Sequence, residues 1–215
     1  MNVCESIKSL SPYQGGKPIS ELQRELGLER VVKLASNENP LGLGQKTLEA
    51  MQQAVAEVNR YPDGNGFELK QAISEHLDVS IDSITLGNGS NDILELIARA
   101  TVCKSSDEVI FSEYAFVVYP LATQALGAQA VVTKSSNFGH DLEAMLLAIT
   151  DNTKLIFVAN PNNPTGTLLD DKSIHAFLSR VPNSITVVLD QAYFEYLDAA
   201  DLAISWLKEF DNLII

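Results

Sequence analysis

The feature that most constrains the fold of this chain is a set of short segments that are apolar almost throughout. LIFVA (residues 155–159) and ITVVL (residues 185–189) show no alternation of apolar and polar side chains. A strand with one face in water alternates, whereas a strand covered by helices on both faces is apolar along its whole length. These segments therefore predict a mostly parallel sheet that is buried on both faces.

Segments with helical periodicity separate the predicted strands. From residue 84 onward, ITL, EVIF, AQAVVT, KLIFVA and SITVVL alternate with amphipathic segments such as SNDILELIARATV, which is typical of an α/β domain. Earlier in the chain we expect helices at residues 20–26, 46–59 and 67–77, the first with a capping box at Ser20 and a stop at Gly27. NLII (residues 212–215) predicts one more buried strand. No helix follows to cover it, so we expect the domain to be incomplete.

The composition is that of a globular chain and argues against several classes of function. With 28 acidic against 15 basic residues, the formal net charge is -13, which repels nucleic acid unless lysine and arginine cluster locally, and they do not. No apolar run approaches the roughly 18 residues of a membrane span, and the amino terminus lacks the apolar core of a signal peptide. We expect no nucleic acid, no membrane and a cytoplasmic location.

The cysteines and histidines form no pattern typical of a metal site. Cys4 and Cys103 lie far apart, which favours a reducing compartment and plain packing over a disulfide framework. His76, His140 and His175 have no second ligand at helical or turn spacing, so we expect a solvated or hydrogen-bonded surface role for each. The sequence thus predicts no metal.

Ligands of α/β domains bind beyond the carboxyl ends of the strands, so the residues after each predicted strand are candidates. GNGSND (residues 87–92) precedes a predicted helix, whose free N–H groups can bind an anion. A capping role for Ser90 or Asn91 is at least as good an interpretation. The stretch also departs from the dinucleotide fingerprint G-x-G-x-x-G, because Asp92 occupies its third glycine position.

Three further strand ends carry aromatic or polar side chains. Phe116 can stack on a flat ligand or belong to the core. Asn163, in the turn-forming stretch NPNNPTG, offers an amide donor or serves a structural loop. Asp190 directly follows the largely apolar ITVVL, where a carboxylate is costly unless paired, so a cationic partner is implied, with capping as the alternative. Together, the four strand ends suit a planar, phosphorylated heterocycle with a protonated ring nitrogen.

Five stretches resemble segments of a known family. The stretches, in chain order, are LASNENPLG, RYPDGNGFELKQAI, ITLGNGSNDILELIARA, ANPNNPTGT and VVLDQAYFEY. They resemble segments of fold-type I pyridoxal-phosphate-dependent aminotransferases, especially of the histidinol-phosphate aminotransferase branch. The resemblance implies the aspartate aminotransferase-like α/β fold, with a mostly parallel central sheet. It implies an amino-terminal arm and part of a small domain at residues 1–45, and an incomplete cofactor-binding large domain at residues 46–215.

The resemblance also implies that residues at the strand ends bind pyridoxal 5′-phosphate. Phe116 would stack on the pyridine ring, while Asn163 and Tyr193 would hydrogen-bond its phenolic oxygen. Asp190 would pair with the pyridinium nitrogen and so make the ring an electron sink. Relatives usually have Asp-Glu where this chain has Asp190-Gln191, a departure that leaves the pyridinium partner intact.

The same resemblance implies that Gly89, Ser90 and Asn91 bind the cofactor phosphate. Tyr61 resembles a tyrosine that reaches the phosphate of the neighbouring subunit, which implies a homodimer with shared active sites; a surface turn is the alternative.

Two more positions, Tyr13 and Asn39, match segments that line the family's substrate pocket. The implied reaction converts L-histidinol phosphate and 2-oxoglutarate to imidazole acetol phosphate and glutamate, in histidine biosynthesis.

Other interpretations stay open. Within the same fold, the chain can be an aminotransferase for aromatic amino acids or an amino-acid phosphate decarboxylase. A fragment that binds cofactor or a partner without turnover is the alternative from another class. A Rossmann-type dehydrogenase is disfavoured by Asp92 and by the late position of the anion-binding stretch.

The lysine that binds the cofactor as a Schiff base follows, in the family, a strand that resembles NLII. No lysine of this chain has that context, and the closest in sequence, Lys208, lies in WLKEF, a predicted helix. Loss of the proton shuttle slows turnover by roughly 10² to 10⁴. We therefore expect the 215-residue chain to be a truncated and nearly inactive form.

Reduction with borohydride after addition of pyridoxal phosphate tests this expectation. We expect saturable cofactor binding but no unique modified lysine when peptides of the purified chain are mapped by mass spectrometry. Stoichiometric labelling of one lysine would show that an internal Schiff base forms, and the catalytic group would then be present after all.

Overall fold

The structure, a computed structural model, describes residues 3–11, 13, 15–197 and 203–215. The chain divides into two units, of which the larger comprises Met1–Leu10 and Glu68–Ile215 and the smaller Ser11–Phe67. The domain division at residue 45 that the family resemblance implies stays a prediction.

A five-stranded parallel sheet organises the larger unit, with the strand order β2-β1-β3-β4-β5. In the register of β3 with β4, Ala159 lies opposite Asp190. The strands are β1 (Glu108–Ser112), β2 (Gln129–Thr133), β3 (Thr153–Ala159), β4 (Thr186–Asp190) and β5 (Leu213–Ile214). The predicted parallel sheet and its α/β class are confirmed.

Helices of the larger unit pack on the two faces of the sheet. The helices of the described residues are α1 (Glu5–Lys8), α2 (Ile19–Leu26), α3 (Gln45–Ala54), α4 (Phe67–Leu77), α5 (Ser90–Thr101), α6 (Val118–Ala125), α7 (Leu142–Leu147), α8 (Asp171–Leu178) and α9 (Ala203–Trp206). Of these, α5 to α9 pack on the sheet, whereas α2 and α3 belong to the smaller unit.

Alternate side chains of the central strand β3 enter two separate cores. On β3, Ile156 and Val158 pack with residues of α7, α8 and α9, whereas Leu155 and Phe157 pack with residues of α5 and α6. All four side chains are buried. The absence of polar alternation in the sequence thus has a direct cause, since neither face of the strand meets water.

The strand order reverses between β1 and β3. The chain leaves β1 through α6 and adds β2 on one side, then returns past β1 to build β3, β4 and β5 on the other side. In open α/β sheets, ligands bind at the carboxyl ends of the strands on either side of such a reversal.

Three predicted elements differ from the structure. Helix α2 begins at Ile19 behind Pro18, whose fixed φ suits a helix start, so Ser20 makes no capping box, although Gly27 does end the helix at a φ of 64°. The helix predicted at residues 46–59 ends at Ala54 and tightens into a 3₁₀ turn. Residues 84–86, predicted as a strand, pair with no strand of the described sheet, and a strand needs a hydrogen-bonded neighbour.

The cysteines and one histidine also differ from expectation. Cys4 and Cys103 are free thiols, as predicted, but both are exposed rather than packed. His140 is buried, not on the surface, and its Nε2 lies 3.0 Å from the carbonyl oxygen of Ala159. Burial lowers the pKa of His140, because the charged form is disfavoured away from water.

Two kinds of feature are absent from the described residues. No helix there is long and apolar enough to cross a bilayer. No group of three or more His, Cys, Asp or Glu side chains there is placed to hold a metal ion.

The burial of α8 predicts an unequal effect of one substitution at two helix ends. Leu178, the buried last residue of α8, should lower the free energy of unfolding by about 2–5 kcal/mol when changed to Ala. Leu147, the last residue of α7, is 85% exposed, and Leu147→Ala should change stability by no more than about 0.5 kcal/mol. Denaturant unfolding measures both, and similar losses would mean that α8 does not pack on the sheet as described.

Candidate functional site

A small cavity of ≈ 80 Å³ lies where the carboxyl ends of β3 and β4 meet the loop after β1. Five of the residues predicted to form a site line it, and these are Ser90, Phe116, Asn163, Asp190 and Tyr193. Ala159, Pro161 and Ala192 complete the lining. The structure thus brings these five residues together at one edge of the sheet.

Asp190 is the last residue of β4 and is half-buried. Its Oδ2 accepts a hydrogen bond of 2.7 Å from the Tyr119 hydroxyl, and its Oδ1 accepts one of 3.1 Å from the Ala192 N–H. The ion pairs of the described residues include none with Asp190. The cation implied by the sequence is therefore not supplied by these residues, and two dipolar donors offset part of the cost of burying the carboxylate.

Tyr119, which the sequence analysis missed, is the buried partner of that carboxylate. Its ring stacks on Phe157 with centroids 4.4 Å apart and planes 2° apart, and it meets Phe116 edge-on at 6.0 Å. Burial, reinforced by the charge of Asp190, raises the pKa of Tyr119 far above its ordinary value. One signal was available: Tyr119 lies one helical turn after Phe116, and a buried phenol normally needs a hydrogen-bond partner.

The stretch NPNNP divides its three asparagines between structure and site. Asn160 donates to the Leu169 carbonyl at 3.2 Å and accepts from the Leu169 N–H at 2.8 Å, which closes the loop as a backbone pair would. Asn162 donates to the Tyr114 carbonyl at 2.9 Å and so ties this loop to the loop after β1. Asn163 alone of the three lines the cavity.

Asn163 and Tyr193 form an edge of the cavity that can hydrogen-bond a ligand. The Asn163 amide nitrogen donates to the Tyr193 hydroxyl at 3.4 Å. An amide nitrogen carries two N–H groups, so Asn163 can donate to a ligand oxygen as well.

The start of α5 has the geometry of an anion site. Gly89 is the N-cap residue at a φ of 78°, a conformation that side chains with a Cβ rarely adopt. Ser90 is the first helical residue, and no side chain caps the helix, so the capping interpretation of Ser90 or Asn91 is wrong. The N–H groups of a first helical turn have no partner within the helix, and here they belong to an exposed segment.

Three predicted site residues belong to the smaller unit, Ser11–Phe67. Tyr13 and Tyr61 are exposed, and the Asn39 side chain accepts a hydrogen bond of 3.0 Å from the Leu41 N–H, which closes a turn. The roles predicted for these three residues rest on the sequence alone.

Comparison with known proteins decides the family. Residues 29–215 match the family model Aminotransferase class I and II. The chain belongs to this family. The resemblance read from the five sequence stretches is thereby confirmed at the level of the family.

Named relatives of this aminotransferase-family chain include histidinol-phosphate aminotransferases. It is 54% identical over 211 residues to histidinol-phosphate aminotransferase 1 of Idiomarina loihiensis, an alignment that covers 97% of this chain and 57% of that protein. Histidinol-phosphate aminotransferase 2 of Haemophilus influenzae is 52% identical over 211 residues, with the same coverage. The chain thus spans little more than half the length of these relatives.

Solved structures share the fold of this chain. A crystal structure of histidinol-phosphate aminotransferase from Sinorhizobium meliloti in complex with pyridoxal-5′-phosphate aligns with a TM-score of 0.81 at 29% identity, over 90% of this chain and 51% of the other. A Thermus thermophilus aspartate aminotransferase mutant aligns with a TM-score of 0.72 at 23% identity, over 88% and 53%. The predicted aspartate aminotransferase-like fold is confirmed.

The buried phenol of Tyr119 predicts how stability depends on pH in the alkaline range. The unfolded chain releases a tyrosine proton at a pKa of about 10, whereas the folded chain retains that of Tyr119, because the pKa of the buried group is raised. The stability that the buried Tyr119 proton contributes to the folded chain is present below about pH 10 and is lost as the pH rises further. Between about pH 9.5 and 11, the unmodified chain should therefore lose more stability than Tyr119→Phe.

Denaturant unfolding at successive pH values measures this loss. Tyr114→Phe changes a partly exposed tyrosine of the same unit and should follow the unmodified chain. Parallel curves for Tyr119→Phe and the unmodified chain would contradict the assignment of a retained proton to Tyr119.

Proposed function

We propose that this chain forms the cofactor-binding part of a pyridoxal 5′-phosphate-dependent aminotransferase. The observation that carries the proposal is the half-buried carboxylate of Asp190, which has no cationic partner among the described ion pairs and lies beside an aromatic ring and an amide. A flat cation that also carries an oxygen substituent and a phosphate matches this set of groups.

The residues fit the cofactor group by group. Asp190 is an acceptor for a protonated ring nitrogen, and Phe116 offers an aromatic surface for the ring. Asn163 and Tyr193 form the edge that can hydrogen-bond the phenolic oxygen. The exposed first turn of α5, with Gly89, Ser90 and Asn91, offers N–H groups to the phosphate.

Space for such a ligand extends beyond the small cavity. A larger groove of ≈ 310 Å³ shares Ser90, Asp190 and Ala192 with it. The groove is otherwise mainly apolar, which suits a ring that must be shielded from water while its polar groups are held at the margins.

In this proposal the residues of the chain bind and orient rather than carry out bond breaking. Asp190 holds a proton at the ring nitrogen, and Phe116 restricts the ring to one plane. Pyridoxal phosphate, when bound, supplies an electron sink for the charge left on a substrate carbon after its proton is removed. The roles of Asn163 and Tyr193 are to fix the ring in its plane, so that this carbon meets the rest of the active site in one orientation.

The proposed substrates are L-histidinol phosphate and 2-oxoglutarate, with imidazole acetol phosphate and glutamate as products. The names of the relatives at 54% and 52% identity support this choice. As parts of the same proposal, Tyr61 reaches the phosphate site of a second subunit in a homodimer, and Tyr13 and Asn39 line the substrate pocket.

A cytoplasmic location is part of the same proposal, because Cys4 and Cys103 are both free thiols, as is usual in a reducing compartment.

No lysine lines either the cavity or the groove among the described residues. The near inactivity of the 215-residue chain therefore stays a prediction.

A chimaera tests the proposed reaction directly. Residues 1–215 are joined to the part of the Idiomarina loihiensis relative that lies beyond their alignment, and transamination with 2-oxoglutarate is followed by formation of glutamate. We expect turnover with L-histidinol phosphate and at least about tenfold lower kcat/KM with L-histidinol, because a site built for a phosphate loses its charge-assisted hydrogen bonds without it.

Asp190→Asn in the chimaera should lower kcat by roughly 10² or more, since a neutral amide does not hold the ring nitrogen protonated. Asp151→Asn, an exposed position in the turn before β3, serves as the matched control and should leave kcat unchanged. Equal rates with both substrates would overturn the proposed substrate, and full activity of Asp190→Asn would overturn the proposed site.

A further inference from the structure

Tyr119 contacts Asp190 from beneath the cavity and is not one of the residues that line it. Its side chain is fully buried, and its hydroxyl donates to Oδ2 of Asp190 at 2.7 Å. Hydrogen bonds to a charged acceptor are about twice as strong as neutral ones, so this bond has the strength to orient the carboxylate.

The position of the tyrosine hydroxyl is itself fixed. Phe157, from the buried centre of β3, stacks flat on the tyrosine ring, and Phe116 contacts the ring from the side. The Tyr119 N–H donates to the Phe116 carbonyl at 3.1 Å, so the two rings are coupled through one turn of backbone. The tyrosine cannot swing away from Asp190 without opening the core.

The second oxygen of Asp190 is held from the other side by the Ala192 N–H. A carboxylate with one donor on each oxygen has a defined plane and still has lone pairs for a further partner. Removal of the Tyr119 hydroxyl would leave the Ala192 bond alone, and the carboxylate could then rotate.

We propose that Tyr119 is a positioning residue that sets the plane of the Asp190 carboxylate for the ring nitrogen of the cofactor. This inference rests on the proposed function. It predicts that Tyr119 matters only for a ligand that has a ring nitrogen to bind. A purely structural tyrosine would affect all ligands of the cavity alike.

Two ligands separate these roles, pyridoxal 5′-phosphate and its 1-deaza analogue, in which a C–H replaces the ring nitrogen. The dissociation constants of both are measured by fluorescence titration for the 215-residue chain and for Tyr119→Phe. Tyr119→Phe keeps the ring and its stacking partners. We expect it to weaken binding of pyridoxal phosphate about tenfold and binding of the analogue less than about twofold.

Two further variants serve as controls. Tyr114→Phe removes a hydroxyl from a partly exposed tyrosine of the same unit and should change neither dissociation constant. In the Asp190→Ala background, Tyr119→Phe should no longer change the ratio of the two constants, because the residue through which it acts is gone.

Each other outcome has a distinct meaning. Equal weakening of both ligands, or of neither, would overturn the positioning role while leaving the proposed cofactor site intact. An unmodified chain that binds both ligands equally well would show that Asp190 does not read the ring nitrogen, and would also overturn it. An unmodified chain that binds neither ligand would overturn the proposed function itself.

Discussion

The structure depends on the burial of one parallel sheet on both of its faces. Since every strand of the sheet runs in the same direction, each strand delivers its last residue to the same edge. The interiors of β1, β3 and β4 pack in the two cores, so the polar side chains of the site belong to residues at or just after the strand ends. Asp190 ends β4 and Asn163 follows β3, so the two approach each other although they are separated in sequence.

Support for this edge comes from side chains that do not themselves face the cavity. Asn160 and Asn162 fix the loop after β3 through hydrogen bonds to backbone groups, which leaves Asn163 in a defined position. Tyr119 does the same for Asp190 from within the core. Precision at the site thus derives from groups whose hydrogen bonds are satisfied by the protein, and a ligand meets a surface that is already arranged.

Sequence reasoning predicted the sheet well because the burial of both faces leaves a strong signal, as in LIFVA and ITVVL. It placed Phe116, Asn163, Asp190 and Tyr193 at one edge for the same reason. It failed at residues 84–86, which have no neighbouring strand, and at Ser20, where the proline before Ile19 determines the helix start. Whether a segment pairs with another strand, and which of several neighbouring residues starts a helix, depend on the folded chain and are not contained in a local sequence pattern.

The role of Tyr119 and the different roles of the three asparagines could not be predicted from the sequence for a similar reason. The hydrogen bond of Tyr119 joins positions far apart in the chain, and a tyrosine in an apolar segment reads as core whether or not its hydroxyl has a partner. Likewise, three asparagines in one turn-forming stretch have equivalent chemistry. Only the path of the folded loop decides which of them binds backbone and which one faces the cavity.

The order of the strands has a consequence for biosynthesis. The cavity draws its lining from Ser90 at the start of α5 to Tyr193 beyond β4, and β1 gains its neighbour β3 only after β2 has been made. Because a protein emerges from the ribosome with its amino terminus first, no partial chain that ends before β4 can hold a ligand in this cavity. Ligand binding therefore requires that β4 and the residues just beyond it have been made, and a nascent chain stalled earlier in synthesis must rely on its apolar cores alone.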